Sequence, residues 1–170
     1  QFKAAFAVDP KNARAAKMAA EALWKMRLSQ QAIEFLQKAI NADPKFLESY
    51  TLLADYRSQR FDFDGAGRTL DAARKINPRG HLVYRGFAQI SFRQGDLVKA
   101  EASIASALKL YETDVKTNEL MAQIQLAEKN IQKAHQYARR AIELDVGNVE
   151  AQVTFAKVKS DYEGVKEAVD

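Results

Sequence analysis

The sequence contains no cysteine. Disulfides, thiolate catalysis and cysteine-based metal sites are therefore excluded, and a chain without thiols suits an oxidising or a reducing compartment equally. Only 3 Pro and 7 Gly interrupt 170 residues, so few positions can break a helix. No run approaches the roughly 18 apolar residues that a membrane-spanning helix needs, and membrane insertion is not expected. Histidine is scarce as well: His81 and His135 stand 54 residues apart. They lack the HExxH spacing that places two imidazoles on one helix face for zinc, and surface positions are expected for both. No GxxxxGK[ST] phosphate loop, GxGxxG fingerprint or GxSxG elbow occurs. Gly65-Ala66-Gly67 is a glycine pair at a helix start. No catalytic, cofactor-binding or metal-binding residue is assigned, and the chain does not read as an enzyme. The 26 basic and 22 acidic residues leave a net charge of +4. That excess is mild and forms no clustered basic face, so nucleic acid is not an expected partner.

What the sequence does contain is a period. Asp9-Pro10, Asp43-Pro44 and Asn77-Pro78 are successively 34 residues apart. Three alanine ladders share that spacing: Ala20, Ala54, Ala88, Ala122 and Ala156; Ala32, Ala66, Ala100, Ala134 and Ala168; Ala5, Ala39, Ala73, Ala107 and Ala141. Other ladders stay apolar while varying in size, as in Phe2, Leu36, Leu70, Ile104 and Ala138, or Val8, Ala42, Ile76, Leu110 and Leu144. A repeated core looks like this: small positions stay small, and large ones conserve apolar character.

Each period holds two helices. In the unit from His81 to Asp114, Leu82 to Gln94 carries apolar residues at helical spacing, Gly95-Asp96 breaks it, and Leu97 to Leu110 forms the second helix. Equivalent breaks fall at Phe61-Asp62, Lys129-Asn130 and Glu163-Gly164. Asp or Asn there can cap the following helix by accepting orphan amide hydrogens; this is the role expected of Asp62, with Asp64 beside it. At about 1.5 Å per residue such helices are about 20 Å long, giving short antiparallel hairpins. Ala20 and Ala32 are expected to face each other across one hairpin, letting the axes approach to about 8–10 Å. Ala39 and its equivalents are expected to face the next hairpin.

The small-residue ladders, the apolar residue before the first of them, the Gly-Asp turn and the closing Pro at period 34 together resemble the tetratricopeptide repeat family. The best unit shows Tyr84, Phe87, Ala88, Gly95-Asp96, Ala100, Ile104 and Ala107; the next shows Tyr50, Leu53, Ala54, Ala66, Leu70 and Ala73. Departures exist: Ala16, Asn118 and Gln152 stand where the family often has Trp or Tyr, and Arg57, Ser91 and Gln125 replace a common Tyr. Arg27-Leu28 replaces Gly-Asp. The resemblance implies an all-α fold, a right-handed α-α superhelix (solenoid) of 34-residue helix-turn-helix repeats. Across 1–170 it implies a single array: 1–12 as the end of a preceding repeat, full repeats at 13–46, 47–80, 81–114 and 115–148, and a partial repeat at 149–170. Both ends then cut through a repeat, and neither provides the polar cap that an array needs, so a fragment of a longer protein is expected.

In this family the first helices of successive units line a concave groove that holds peptides or protein segments. By that resemblance the groove face comprises Arg14, Lys17, Glu21, Trp24 and Lys25 in the first full unit and Leu82, Arg85, Gln89, Phe92 and Arg93 in the third. The second and fourth contribute Asp55, Ser58, Glu119, Gln123 and Leu126 among others. Two spots join a large aromatic to positive charge: Trp24 with Arg14, Lys17 and Lys25, and Phe92 with Leu82, Arg85 and Arg93. Aromatics and Arg are enriched among residues that carry binding energy. The peptide-binding candidates are therefore Arg14, Lys17, Trp24, Lys25, Leu82, Arg85, Gln89, Phe92 and Arg93, suited to an acidic and apolar segment. Some members clamp acidic chaperone tails with Lys, Asn and Arg at fixed places. Those places hold Lys17, Glu21, Leu52, Leu82 and Gly86 here, and neither of the two later registers matches better, so that activity is rejected. The function expected is a protein–protein interaction scaffold with no cofactor. The alternative is a regulatory or substrate-recruiting segment of a larger enzyme. RNA binding and self-association through exposed apolar ends rank below both.

Overall fold

The computed structural model describes residues 9–167, with side-chain surroundings given as far as residue 164. The positions Phe2, Ala5, Val8 and Ala168 of the ladders lie outside the described residues. Nine helices and no strand occur among the described residues: α1 (Ala13–Lys25), α2 (Ser29–Ala42), α3 (Leu47–Gln59), α4 (Phe63–Ile76), α5 (His81–Arg93), α6 (Leu97–Leu110), α7 (Val115–Ala127), α8 (Ile131–Leu144) and α9 (Val149–Glu167). None is long and apolar enough to cross a membrane.

The turns within hairpins repeat one backbone device. Arg27, Phe61, Gly95 and Lys129, each 34 residues from the next, have φ of 64°, 63°, 78° and 63°. This left-handed residue ends the first helix and lets the chain reverse within a few residues. Helix starts are capped where the sequence supplies a short polar side chain. Asp62 accepts from the Gly65 amide at 2.9 Å, and Asp96 from the Lys99 amide at 3.1 Å. Asn12, Asp114 and Asn148 cap α1, α7 and α9 in the same way. Asn130 makes no such cap; its side-chain amide donates to Gln125 Oε1 at 3.3 Å instead. An amide with a buried acceptor nearby is drawn away from the exposed helix end.

The alanine ladders form the interior. Ala20, Ala54, Ala88 and Ala122 are at most 1% exposed, as are Ala32, Ala66, Ala100 and Ala134. Ala122 and Ala134 share one core cluster with Ala138 and Val158, the close facing of two helices that small residues permit. Ala39 packs with Ala13, Ala16 and Phe46, all of its own unit. These contacts lie inside the first hairpin, whereas Ala39 was expected to face the next one. Large ladder residues fill the remaining space: Leu36, Leu70 and Ile104 are wholly buried.

The chain divides into two compact units at Gly86/Phe87, within α5. In the first, α1 packs on α2, α2 on α3 and α3 on α4. Gly86 lets α5 close on α4, since a Cβ there would lie 2.7 Å from Leu70 Cδ2. In the second, α6 packs on α7, α7 on α8, and α9 on both α7 and α8.

One expected break is absent. Helix α9 runs without interruption from Val149 to Glu167 through Glu163-Gly164. A single Gly inside a helix costs only about 1 kcal/mol relative to Ala, too little to stop it. The Lys159–Glu163 ion pair at 3.5 Å holds the helical turn that leads up to the expected break. Ala156 is exposed, whereas its ladder equivalent Ala122 packs with Ala134 and Ala138 of α8.

Candidate binding face

The first-helix residues read as a groove face fall on α1 and α5. On α1, Arg14 and Lys25 are exposed, and Lys17 and Trp24 half-buried. Helical spacing brings these onto neighbouring turns, but two of them are already engaged. Lys17 Nζ pairs with Glu21 Oε1 at 2.9 Å, which offsets one of the positive charges. The Trp24 indole stacks on the Tyr56 ring of α3 with centroids 3.9 Å apart and planes 9° from parallel. One aromatic face therefore bridges two first helices; aromatic pairs contribute about 0.5–1.5 kcal/mol beyond their buried area. Tyr56 is 5% exposed. Its phenol is held well above the usual tyrosine range, first by burial and then by the carboxylates of Glu21 and Asp55. The hydroxyl stays protonated in any physiological solution.

On α5, Leu82, Arg85, Gln89 and Phe92 are half-buried and Arg93 is exposed. The spacing 82, 85, 89, 92 places the first four on one face of a 3.6-residue helix. Val83, Ala88 and Ile90 of the same helix are buried. The arrangement puts a leucine, a guanidinium, an amide and a phenylalanine ring along one face of α5.

Elsewhere the face is mostly structural. Ser58 is 1% exposed and donates to the Asp55 carbonyl at 2.9 Å, so it faces the interior and not a ligand. Leu126 packs against the Ala122–Ala134 cluster. Glu119 and Gln123 join Thr154 of α9, whose hydroxyl donates to Glu119 Oε1 at 3.2 Å, so two first helices are tied by a polar bridge that the ladders did not reveal. His135, expected on the surface, lies against two rings of α9: Tyr162, stacked at 4.4 Å, and Phe155 at 5.5 Å. Among the described residues no group of three or more His, Asp or Glu is placed to hold a metal ion.

Two of the positions that depart from the usual repeat pattern, Arg57 and Gln125, make polar contacts of their own. Arg57 donates to the Gly65 carbonyl at 3.0 Å and to Thr69 Oγ1 at 2.6 Å, binding α3 to α4. Gln125 is wholly buried and donates to Glu101 and Glu128, both at 2.9 Å. A hydrogen-bonding side chain thus substitutes for a ring at each.

Comparison with known proteins agrees with this architecture. Residues 13–46 match the family described as tetratricopeptide repeat. None of the curated proteins matches the chain in sequence. Among solved structures, the chain is similar to a thermophilic TPR protein of Thermus thermophilus, TTC0263, at 22% identity and a TM-score of 0.78, over 92% of this chain and 86% of that one. It is similar to yeast Tom70 at 21% identity and a TM-score of 0.77, over 99% of this chain and 36% of that one. A third similar structure is Pseudomonas aeruginosa pilF, at 17% identity and a TM-score of 0.69, over 89% of this chain and 69% of that one. The first full helix pair is a tetratricopeptide repeat, and the chain has the all-α helical-repeat fold of tetratricopeptide proteins.

Proposed function

We propose that this chain is a protein-interaction scaffold whose first helices hold an extended segment of a partner protein, one carrying acidic and bulky apolar residues. The observation that supports this most is the α5 face, where Leu82, Arg85, Gln89 and Phe92 are each half-buried on one side of a single helix. Side chains already held by packing lose little further freedom when a partner covers them, and an Arg beside an aromatic is the kind of pair that concentrates binding energy. On α1, Arg14 and Lys25 extend the preference for acidic residues, while Trp24 offers only what its stack on Tyr56 leaves open.

The test is a peptide array drawn from the source organism's own proteins, probed with the wild-type chain and with Arg85→Glu/Arg93→Glu. Circular dichroism establishes that the variant keeps its helices. Acidic-apolar peptides retained by wild type are expected to bind the variant at least about tenfold more weakly, roughly 1.4 kcal/mol. Equal retention by both proteins would sink the reading.

A further inference from the structure

Successive units carry Ala16, Tyr50, Tyr84, Asn118 and Gln152 at one register of the first helix. The Tyr50 hydroxyl donates to the Pro44 carbonyl at 3.1 Å, and that of Tyr84 to the Pro78 carbonyl at 3.0 Å. Asn118 Nδ2 donates to the Glu112 carbonyl at 2.8 Å, and Gln152 Nε2 to the Val146 carbonyl at 2.6 Å. In all four cases the acceptor lies six residues earlier. The shorter side chains keep the hydrogen bond and lose the ring.

One of the positions without a ring lines a cavity. At Asn118 a cavity of about 320 Å³ is lined by Leu108, Glu112, Asn118, Gln136, Tyr137 and Arg140. In the first unit, a cavity of about 550 Å³ is lined by Pro10, Lys11, Lys38, Asn41 and Ala42. Pro10 and Lys38 hold the same repeat positions as Glu112 and Arg140, each 102 residues earlier, which is three periods. A second correlation accompanies the first. At the register of Lys38 the next units carry Ala72, Ser106 and Arg140. The units with tyrosine have a small residue there; the units with Ala16 and Asn118 have a cation.

A ring-sized space beside a cation selects an aromatic group next to a negative charge. We infer that the cavity over Asn118 receives a tyrosine side chain from an acidic segment of a partner protein. The ring enters beside Leu108, Asn118 and Tyr137, and a neighbouring carboxylate meets Arg140, the cation of a lining that also holds Glu112. The chain itself supplies the template, since Tyr50 and Tyr84 fill the same register with a phenol. An aromatic side chain buries about 150–250 Å², and about 300 Å³ is the lower end of ligand-sized pockets. Asn118 is not part of the groove face on α1 and α5, so this contact is separate from the proposed function and can fail without it.

The experiment is NMR titration of the 170-residue protein with N-acetyl-tyrosinamide and with the acidic dipeptide N-acetyl-Asp-Tyr-amide. Both probes are expected to shift the Asn118 side-chain amide and the Tyr137 ring saturably, the acidic one with at least about threefold higher affinity. Asn118→Tyr fills the space and is expected to weaken both at least about tenfold. Leu108→Trp, which fills it from another wall, does the same should Asn118→Tyr fail to fold. Arg140→Glu removes only the advantage of the acidic probe, and Arg85→Glu/Arg93→Glu changes nothing. Absence of saturable shifts, shifts located elsewhere, or binding that survives both filling variants overturns the cavity. An Arg140→Glu protein that still prefers the acidic probe overturns the carboxylate contact.

Discussion

The turns at Arg27-Leu28 and at Gly95-Asp96 make the same reversal from different chemistry. Both residues entering the turn are left-handed, with φ of 64° at Arg27 and 78° at Gly95. For an L side chain that conformation costs about 1–2 kcal/mol, and for Gly nothing comparable. The second position differs as much. Asp96 caps α6 through the Lys99 amide, whereas Leu28 makes no side-chain cap on α2. Even so, α2 begins at Ser29 and α6 at Leu97, the same place in the repeat. The feature common to both hairpins is the wholly buried pair of alanines, Ala20 with Ala32 and Ala88 with Ala100. Close helix packing therefore places the turn, and turn chemistry adjusts how stable it is.

The most severe challenge to that conclusion is to overpack both hairpins. Ala20→Leu and Ala88→Leu are each expected to lose about 1–3 kcal/mol in urea unfolding, because neither wholly buried site has room for an isobutyl group. A silent Ala20→Leu would show that the first hairpin does not depend on close approach and would break the comparison. Exchanging the left-handed residues has a smaller effect of opposite signs. Gly95→Ala is expected to destabilise by about 1 kcal/mol. The cause is conformational alone, since nothing lies within 4 Å of a Cβ built there. Arg27→Gly is expected to stabilise by roughly 0.5–1 kcal/mol, the relief of strain being reduced by the greater freedom of Gly in the unfolded chain. Leu28→Asp, which gives α2 the cap that α6 has, is expected to add about 0.5–1 kcal/mol. Shifts in the unfolding midpoint at constant slope would measure all three.

The same division explains what could be read from the residues. The 34-residue period exposes positions that are small for packing, so helix pairs were legible: α6 runs from Leu97 to Leu110 as expected, and α5 is displaced by one residue. What a period cannot reveal is a contact made once. Tyr56 has Ala22, Ile90 and Ile124 at its register, so nothing in the ladder announced a ring for Trp24 to stack on. The break expected at Glu163-Gly164 rested on the same period, but a lone Gly is too weak a breaker and α9 continues. Of the candidate face, the Lys17–Glu21 pair was legible as an i,i+4 contact, whereas the burial of Ser58 depends on how α3 sits among its neighbours. Asn118 and Gln152 looked like losses of an aromatic; their amides reach the same carbonyl as the tyrosine hydroxyls, a kinship of donor chemistry and not of shape.

The smallest expected effect separates charge from geometry at the two turns. The Asp96 carboxylate is held below the usual carboxylate range, first by the side-chain hydrogen bond from Lys99, then by the Lys99 amide, with the Lys99 charge a lesser cause. A carboxylate with a lowered folded pKa contributes stability that is fully present above its unfolded value of 3.8 and is lost as pH falls through the folded value. The unfolding midpoints of wild type and Asp96→Ala should therefore differ by a constant amount from neutral pH down to about 5, then converge as the acid range is crossed. The gap should be modest and should shrink in salt, because an exposed charge pair is screened. Leu28 does not titrate, so the first turn shows no such dependence, and Leu28→Asp should acquire one in the same acid range. A gap between wild type and Asp96→Ala that persists at pH 2 would mean that residue 96 acts through backbone preference and not as an ionised cap. The contrast between the two turns would then reduce to Gly95 against Arg27.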